Sequence, residues 1–265
     1  MKQFCLLFFL ATPGVVFSDP LFPSPSVPDL TTEDGWSFGI GLGLEYETEY
    51  DGSDDYGVEL DPGAVVQYRN GNQFWFLNGP ELGWRSKIAD SWLIQAGLRL
   101  EGDREESESP ALAGLGDVED EWTLMFEARR GFGTDWSNWL GARVMAGDGD
   151  IGVLGVLAAG HFFGANPSGN GVEAFVFATF GSSAFFNRDF GVTTQQSLDS
   201  GLPETDLSGG YRSLGIQVVG RWDLATHWQL VAEMGYEKYD NSISDSPIAL
   251  DDFEAEAGVS VFYRF

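Results

Sequence analysis

The sequence predicts an all-β fold, a closed antiparallel transmembrane β-barrel of about twelve strands, and three observations carry that expectation. Apolar residues alternate with polar residues or glycine over segments of about nine to eleven residues, the length that crosses a bilayer as a tilted strand. Short turns and longer acidic loops follow one another along the chain. The last stretch, Ala257-Gly258-Val259-Ser260-Val261-Phe262-Tyr263-Arg264-Phe265, reads as a strand that ends on an aromatic residue with no polar tail. A soluble sandwich would share the alternation. Strand length, the aromatic ending and an export signal together favour the barrel.

The export signal opens the chain. Lys2 is a basic start, Phe4 to Phe17 is an apolar run too short and too interrupted by proline and glycine to span a bilayer, and Ser18 is a small residue at a cleavage position. Residues 1–18 are therefore expected to be removed between Ser18 and Asp19. Cys5, the one cysteine, lies in that segment, so the mature chain has no thiol chemistry. Residues 19–34 begin Asp19-Pro20-Leu21-Phe22-Pro23, a proline-rich stretch that cannot enter a sheet interior and is read as a periplasmic tail. Residues 35–265 are assigned to the barrel.

A formal net charge of −27 makes nucleic acid an unfavourable partner by repulsion. With 35 glycines and 14% aromatic residues, the chain is too aromatic to be disordered.

The strands follow from the period of two. Trp36, Phe38, Ile40, Leu42, Leu44 and Tyr46 share one face, opposite Ser37, Gly39, Gly41, Gly43, Glu45 and Glu47. The pattern returns at Trp92 to Glu101, at Trp122 to Arg129, at Ser213 to Trp222 and at Trp228 to Glu237. The turns at Arg69 to Asn72, Lys87 to Ser91, Gly133 to Asp135, Gly164 to Asn170 and Asp223 to Thr226 are short. The connections Thr48 to Tyr56, Gly102 to Asp120, Asn187 to Gly209 and Asp240 to Asp252 are long and acidic. Short turns belong to the periplasm and long loops to the outside. An even strand count requires a hairpin at Asn78-Gly79 between two weakly patterned strands, Gln73 to Leu77 and Pro80 to Ile88.

In the final strand, Ala257, Val259, Val261, Tyr263 and Phe265 fall on the lipid face, and Phe262 is an apolar exception on the other. Bacterial outer-membrane barrels resemble this ending, and the resemblance assigns Val261, Tyr263 and Phe265 as the signal read by the barrel assembly machinery. The same facing rule sends Glu45, Glu59, Asp61, Arg69, Arg99, Glu101, Glu127, Arg129, Arg221, Glu233, Glu237, Glu256 and Arg264 into the lumen. Their mixed signs fit either a salt-bridged interior that stiffens a narrow barrel or a small hydrated pore with cation preference. The modest lumen of about twelve strands favours the first.

No catalytic or metal set stands out. His161 and His227 are the only histidines and lie near predicted turns. Ser182, His161 and Glu173 make a triad on paper with no motif behind it. Gly147-Asp148-Gly149-Asp150 lacks the spaced ligands of a calcium loop and reads as a tight hairpin. The expectation is no enzyme, no metal and no cofactor.

Four groups of residues carry a resemblance over nearly the whole mature chain: Tyr50-Asp51-Gly52-Ser53; Ser200-Gly201-Leu202-Pro203 with Gly209-Gly210-Tyr211; Asp245-Ser246-Pro247-Ile248; and the ending Val261 to Phe265. With these the chain resembles the MltA-interacting protein / OmpV family of outer-membrane proteins. It departs from the pattern at Glu49, where proline is expected, and at Glu204, where an aromatic often stands. The resemblance implies a barrel in the outer membrane of a Gram-negative bacterium, in contact with lipid and lipopolysaccharide. It implies a non-enzymatic scaffold that joins a membrane-bound lytic transglycosylase to a murein synthase, with a porin-like small-solute channel second and an adhesin third.

Overall fold

The computed structural model describes residues 33–265 apart from 90, 103, 134–135, 150 and 165–169. The export signal and most of the proline-rich tail lie outside the described residues. The strands are β1 (Gly35–Thr48), β2 (Tyr56–Asn70), β3 (Gln73–Asn78), β4 (Glu81–Ile88), β5 (Trp92–Glu101), β6 (Glu121–Phe132), β7 (Asn138–Ala146), β8 (Val153–Gly164), β9 (Gly171–Gly181), β10 (Gly210–Ala225), β11 (Trp228–Tyr239) and β12 (Phe253–Arg264). Each pairs antiparallel with the next, and β12 returns to β1 through Gly39↔Arg264 to Tyr46↔Ala257, which closes the barrel. The Asn78-Gly79 hairpin that the even count required is present as β3 and β4. Gly79 turns it at φ +52°, a left-handed backbone that favours glycine.

Alternation decides which side chains meet lipid. Trp36, Phe38, Ile40, Leu42, Leu44 and Tyr46 are all exposed on the outer face of β1, while Ser37 and Glu45 are buried inside. Aromatic pairs band both ends of that face. Trp36 meets Tyr68 at 5.1 Å, and Tyr263 meets Trp228 and Phe265 at 5.0 Å, on the periplasmic side. Tyr46 stacks on Tyr56 at 5.1 Å and Tyr236 on Phe253 at 5.5 Å on the outer side. Such girdles sit at the two interfaces of a bilayer. The terminal residues belong to the lower girdle, and the Phe265 N–H still donates to the Phe38 carbonyl at 2.9 Å. Phe262, the apolar exception, lies in the lumen against Gly41, where a side chain would meet its ring at 2.6 Å.

The long loops hold structure that alternation did not forecast. The loop expected to begin at Asn187 begins at Ser182, because β9 ends at Gly181 and Ser182 caps a helix, α1 (Ser183–Phe190). A second helix, α2 (Thr194–Ser200), starts on a capping box of Thr193 and Gln196 and stops at Gly201, φ +79°. A third short helix, α3 (Asn241–Ser244), and a 3₁₀ turn at Pro110–Leu112 complete the set.

The facing assignment has a direct test. Val218, opposite the exposed Met234, faces lipid, and Gln217 beside it is buried in the lumen and donates to Glu256 at 3.2 Å. Val218→Arg should cost about 2 to 4 kcal/mol of folding free energy near mid-membrane. Gln217→Arg, placed beside a carboxylate, should be mild. Equal refolding yields into lipid for the two variants would overturn the assignment.

Candidate functional site

The lumen has three parts, a folded lid at the outer mouth, a charged middle and an aromatic inner end. The lid begins from apolar residues that the loops cannot leave in water. Phe185, Phe186 and Phe190 from α1 pack with Leu207, Ile243 and the wall residues Met125, Met145, Leu154 and Tyr239. Tyr50, Leu112, Leu115, Val192 and Ile248 form a second cluster from four different loops. Polar ties then fix one loop to another. Ser246 Oγ donates to the Phe190 carbonyl at 2.6 Å, and Tyr50 Oη to the Ile248 carbonyl at 3.1 Å. The Asn187 side-chain amide donates to Leu207 O at 2.9 Å and accepts from Leu207 N at 2.7 Å. Gln196 Nε2 donates to Leu115 O at 2.7 Å.

The residues that carried the family resemblance sit here. Gly52 holds φ +85°, and a side chain there would meet Ala249 at 3.0 Å and Phe190 at 3.2 Å. Its carbonyl accepts from Leu250 N at 2.6 Å, and its N–H donates to Glu254 at 2.5 Å. Ser53, Ser246 and Ile248 are buried, and Pro247 is half-buried between the last two. Ser200 Oγ accepts from Leu202 N at 3.1 Å, and Gly201 supplies the left-handed exit of α2 ahead of Pro203.

Below the lid, β4 to β7 carry a continuous ion network. Arg143 reaches Glu81 at 2.6 Å and Glu127 at 2.7 Å. Arg99 reaches the same Glu81 at 3.0 Å and Glu101 at 3.4 Å. Arg129 pairs with Glu127 and lies 4.9 Å over the Trp139 ring, whose Nε1 donates to Glu173 at 2.6 Å. Each of these charges is almost fully removed from water, so each depends on its partner. Opposite, β11, β12, β1 and β2 present Glu233, Glu237, Glu254, Glu256, Glu45, Glu59 and Asp61. Glu45 and Glu59 stand directly across from each other in the ladder. Arg212 spans from that wall to the lid, meeting Asp51 at 2.5 Å and Glu237 at 3.3 Å. At the inner end Arg69 and Arg85 stack on Phe74 at 4.8 and 5.1 Å, and Trp136 folds over Gly131.

Of the charged residues predicted inward, Glu45, Arg99, Glu101, Glu127, Arg129, Arg221 and Glu237 are buried. Asp61, Arg69, Glu233 and Glu256 are half-buried and Glu59 is exposed. Arg264 sits at the periplasmic rim instead, on Asp223 at 2.7 Å and on the turn after β10. Glu81, Arg143, Glu173 and Arg212 were missed. β7 has apolar Trp139 and Met145 facing inward and Leu140 and Val144 outward, which erases the alternation around Arg143. Arg212 lies in a bulge where the β9–β10 register shifts. Ser182, His161 and Glu173 are not brought together: Ser182 caps α1 at the outer mouth, while His161 accepts or donates to Asn138 at 2.9 Å near the inner end.

The sequence matches the family described as MltA-interacting protein MipA over residues 40–265. The chain belongs to the MipA family. No curated relative matches the sequence. Among solved structures, this MipA-family barrel is similar to the CymD monoaromatic hydrocarbon channel, at 8% identity and TM-score 0.46, with 89% of each chain covered. It is similar to the Pseudomonas putida toluene transporter TodX, at 9% identity and TM-score 0.43, over 88% of this chain and 90% of that one. It is similar to the KdgM porin, at 12% identity and TM-score 0.44, over 86% of this chain and 99% of that one. These likenesses concern barrel architecture alone. The chain is an outer-membrane, multi-pass β-barrel of the MipA family.

Two predictions come from the site. Removing the Arg143 side chain strands Glu81 and Glu127 in a buried setting, so Arg143→Ala should cost about 3 to 5 kcal/mol. The measurement is the urea midpoint of the barrel in lipid. The second concerns Asp189 in α1. Burial pushes its carboxyl up from 3.8 to about 6, against the pull of Arg188, with Asp51, Arg212 and Arg104 nearby and 18% of the side chain still exposed. A carboxyl raised on folding favours the docked lid when protonated. That contribution is full below about pH 4 and is lost as pH rises through about 6. Amide protection factors across residues 183–190, corrected for the intrinsic pH dependence of exchange, should therefore be higher at pH 4.5 than at pH 7.5, and Asp189→Asn should shrink that difference.

Proposed function

We propose that this barrel acts as a non-enzymatic scaffold that gathers murein-cleaving and murein-building enzymes at the inner face of the outer membrane. The observation that supports it is the filled interior. An ion network lines one side of the middle of the lumen, a folded lid covers its outer mouth, and aromatic side chains turn in at the inner end. A barrel filled in this way offers surfaces rather than a passage. The family description, MltA-interacting protein, supports a role in binding another protein, and the family resemblance implies a lytic transglycosylase and a murein synthase as the partners. Assembly into the membrane would run through Val261, Tyr263 and Phe265, read by the barrel assembly machinery.

The test is cross-linking in living cells followed by purification from outer membranes, with the full chain compared to one lacking residues 19–32. Recovery of a lytic transglycosylase or murein synthase, lost with the tail, is the expected result. Recovery of lipopolysaccharide and unrelated barrels alone would set the scaffold aside. The acidic wall on β11, β12, β1 and β2 favours a second reading, a narrow cation-preferring channel for small solutes. A steady cation-selective conductance of the unaltered protein in a planar bilayer would put that reading first.

A further inference from the structure

We propose that the wall of this barrel has a lateral portal between β2 and β5, through which amphiphiles with a cationic head group reach Glu59 and Asp61 from the outer leaflet. This goes beyond the scaffold reading and does not depend on it. The portal comes from strand length. β3 pairs only with Val65–Asn70 of β2, and β4 follows β5 only as far as Glu81↔Arg99. β2 runs on to Tyr56 with β1 as its one neighbour. Residues 57–64 pair with β1 on one side, and among the described residues no strand pairs with them on the other. A free strand edge inside hydrocarbon is costly, which is why barrels close. Here Pro62 sits in the middle of that edge, a residue tolerated only where no ladder continues.

The gap lies within the apolar belt. Val58 and Leu60, 67% and 66% exposed, pair with Tyr46 and Leu44 between the Trp36–Tyr68 and Tyr46–Tyr56 contacts. Exposure of the inward carboxylates follows the gap. Glu45 and Glu59 are directly paired and both face inward, yet Glu45 is 3% exposed while Glu59 is open. Asp61 is half-buried, and its Oδ1, turned away from solvent, has no hydrogen-bond partner among the described residues. With the lid above, the side of the barrel is the approach the wall leaves open.

Charge and polarity name the occupant. A plain hydrocarbon would set methylene groups against two carboxylates, and an anionic head group would be repelled. A cationic head with an alkyl tail satisfies both surfaces: the head meets Glu59 and Asp61, and the tail lies along Val58 and Leu60 in lipid.

The experiment uses the full protein in lipid nanodiscs with dodecyltrimethylammonium as probe, and with dodecyl sulfate and tetramethylammonium for comparison. Saturable binding of the cationic amphiphile above bilayer partitioning is expected. It should weaken about tenfold in Glu59→Gln/Asp61→Asn, the size expected for losing two partly exposed charge pairs. Dodecyl sulfate should show no saturable component. Heat-modifiable migration on a gel verifies that the variant is folded. Equal binding by both proteins, equal binding of the sulfate, or competition by tetramethylammonium as strong as that of the amphiphile would each overturn the portal.

Discussion

A strand in hydrocarbon has no water to satisfy its N–H and C=O groups, and that single constraint organises this molecule. It is met by bringing β12 back to β1, so that residues at opposite ends of the chain share a ladder from Gly39↔Arg264 to Tyr46↔Ala257. Once the sheet closes, every strand has an inside and an outside. The period of two then sorts side chains into a lipid belt and a lumen without further instruction. The short β3–β4 hairpin is where the constraint is met least completely, and Pro62 marks the place in the sequence.

Inside, the governing term changes from hydrogen bonding to charge. Arg99, Arg129 and Arg143 are almost entirely withdrawn from water, and only close carboxylates make that tolerable. Their partners come from neighbouring strands, so the network also braces the wall, with Glu81 pinning the short hairpin to β5 and β7. The facing wall carries carboxylates with few cations among them. The lumen is thus polarised across its width, compensated on one side and acidic on the other.

The barrel was legible because the pleat repeats at a fixed period and the bilayer fixes the length. Trp36 to Tyr46 could be assigned from the alternation alone, and the Asn78-Gly79 hairpin followed from the even count. What was not legible lies where two faces ask for the same residue type or where the period breaks. β7 is apolar on both sides, which hid Arg143, and the bulge at Arg212 hid the link from wall to lid. The lid itself was read only as acidic loops. Its cap and core residues, Ser182, Phe186, Ser246 and Ile248, are scattered through the chain and have no period to reveal them. The family resemblance pointed at several of these residues, but it could not say that what they share is the packing of one loop on another.

The lid also has a place in time. Tyr50 follows the first strand and Ile248 precedes the last, and the hydrogen bond between them spans 198 residues of sequence. That contact cannot form while β1 and β12 are apart, because the two loops are then carried on separate edges of an open sheet. Completion of the seam is therefore the event that allows the loops to dock. An arrested, unclosed intermediate would carry its apolar loop residues unpacked, and could be told from a finished barrel by those segments alone.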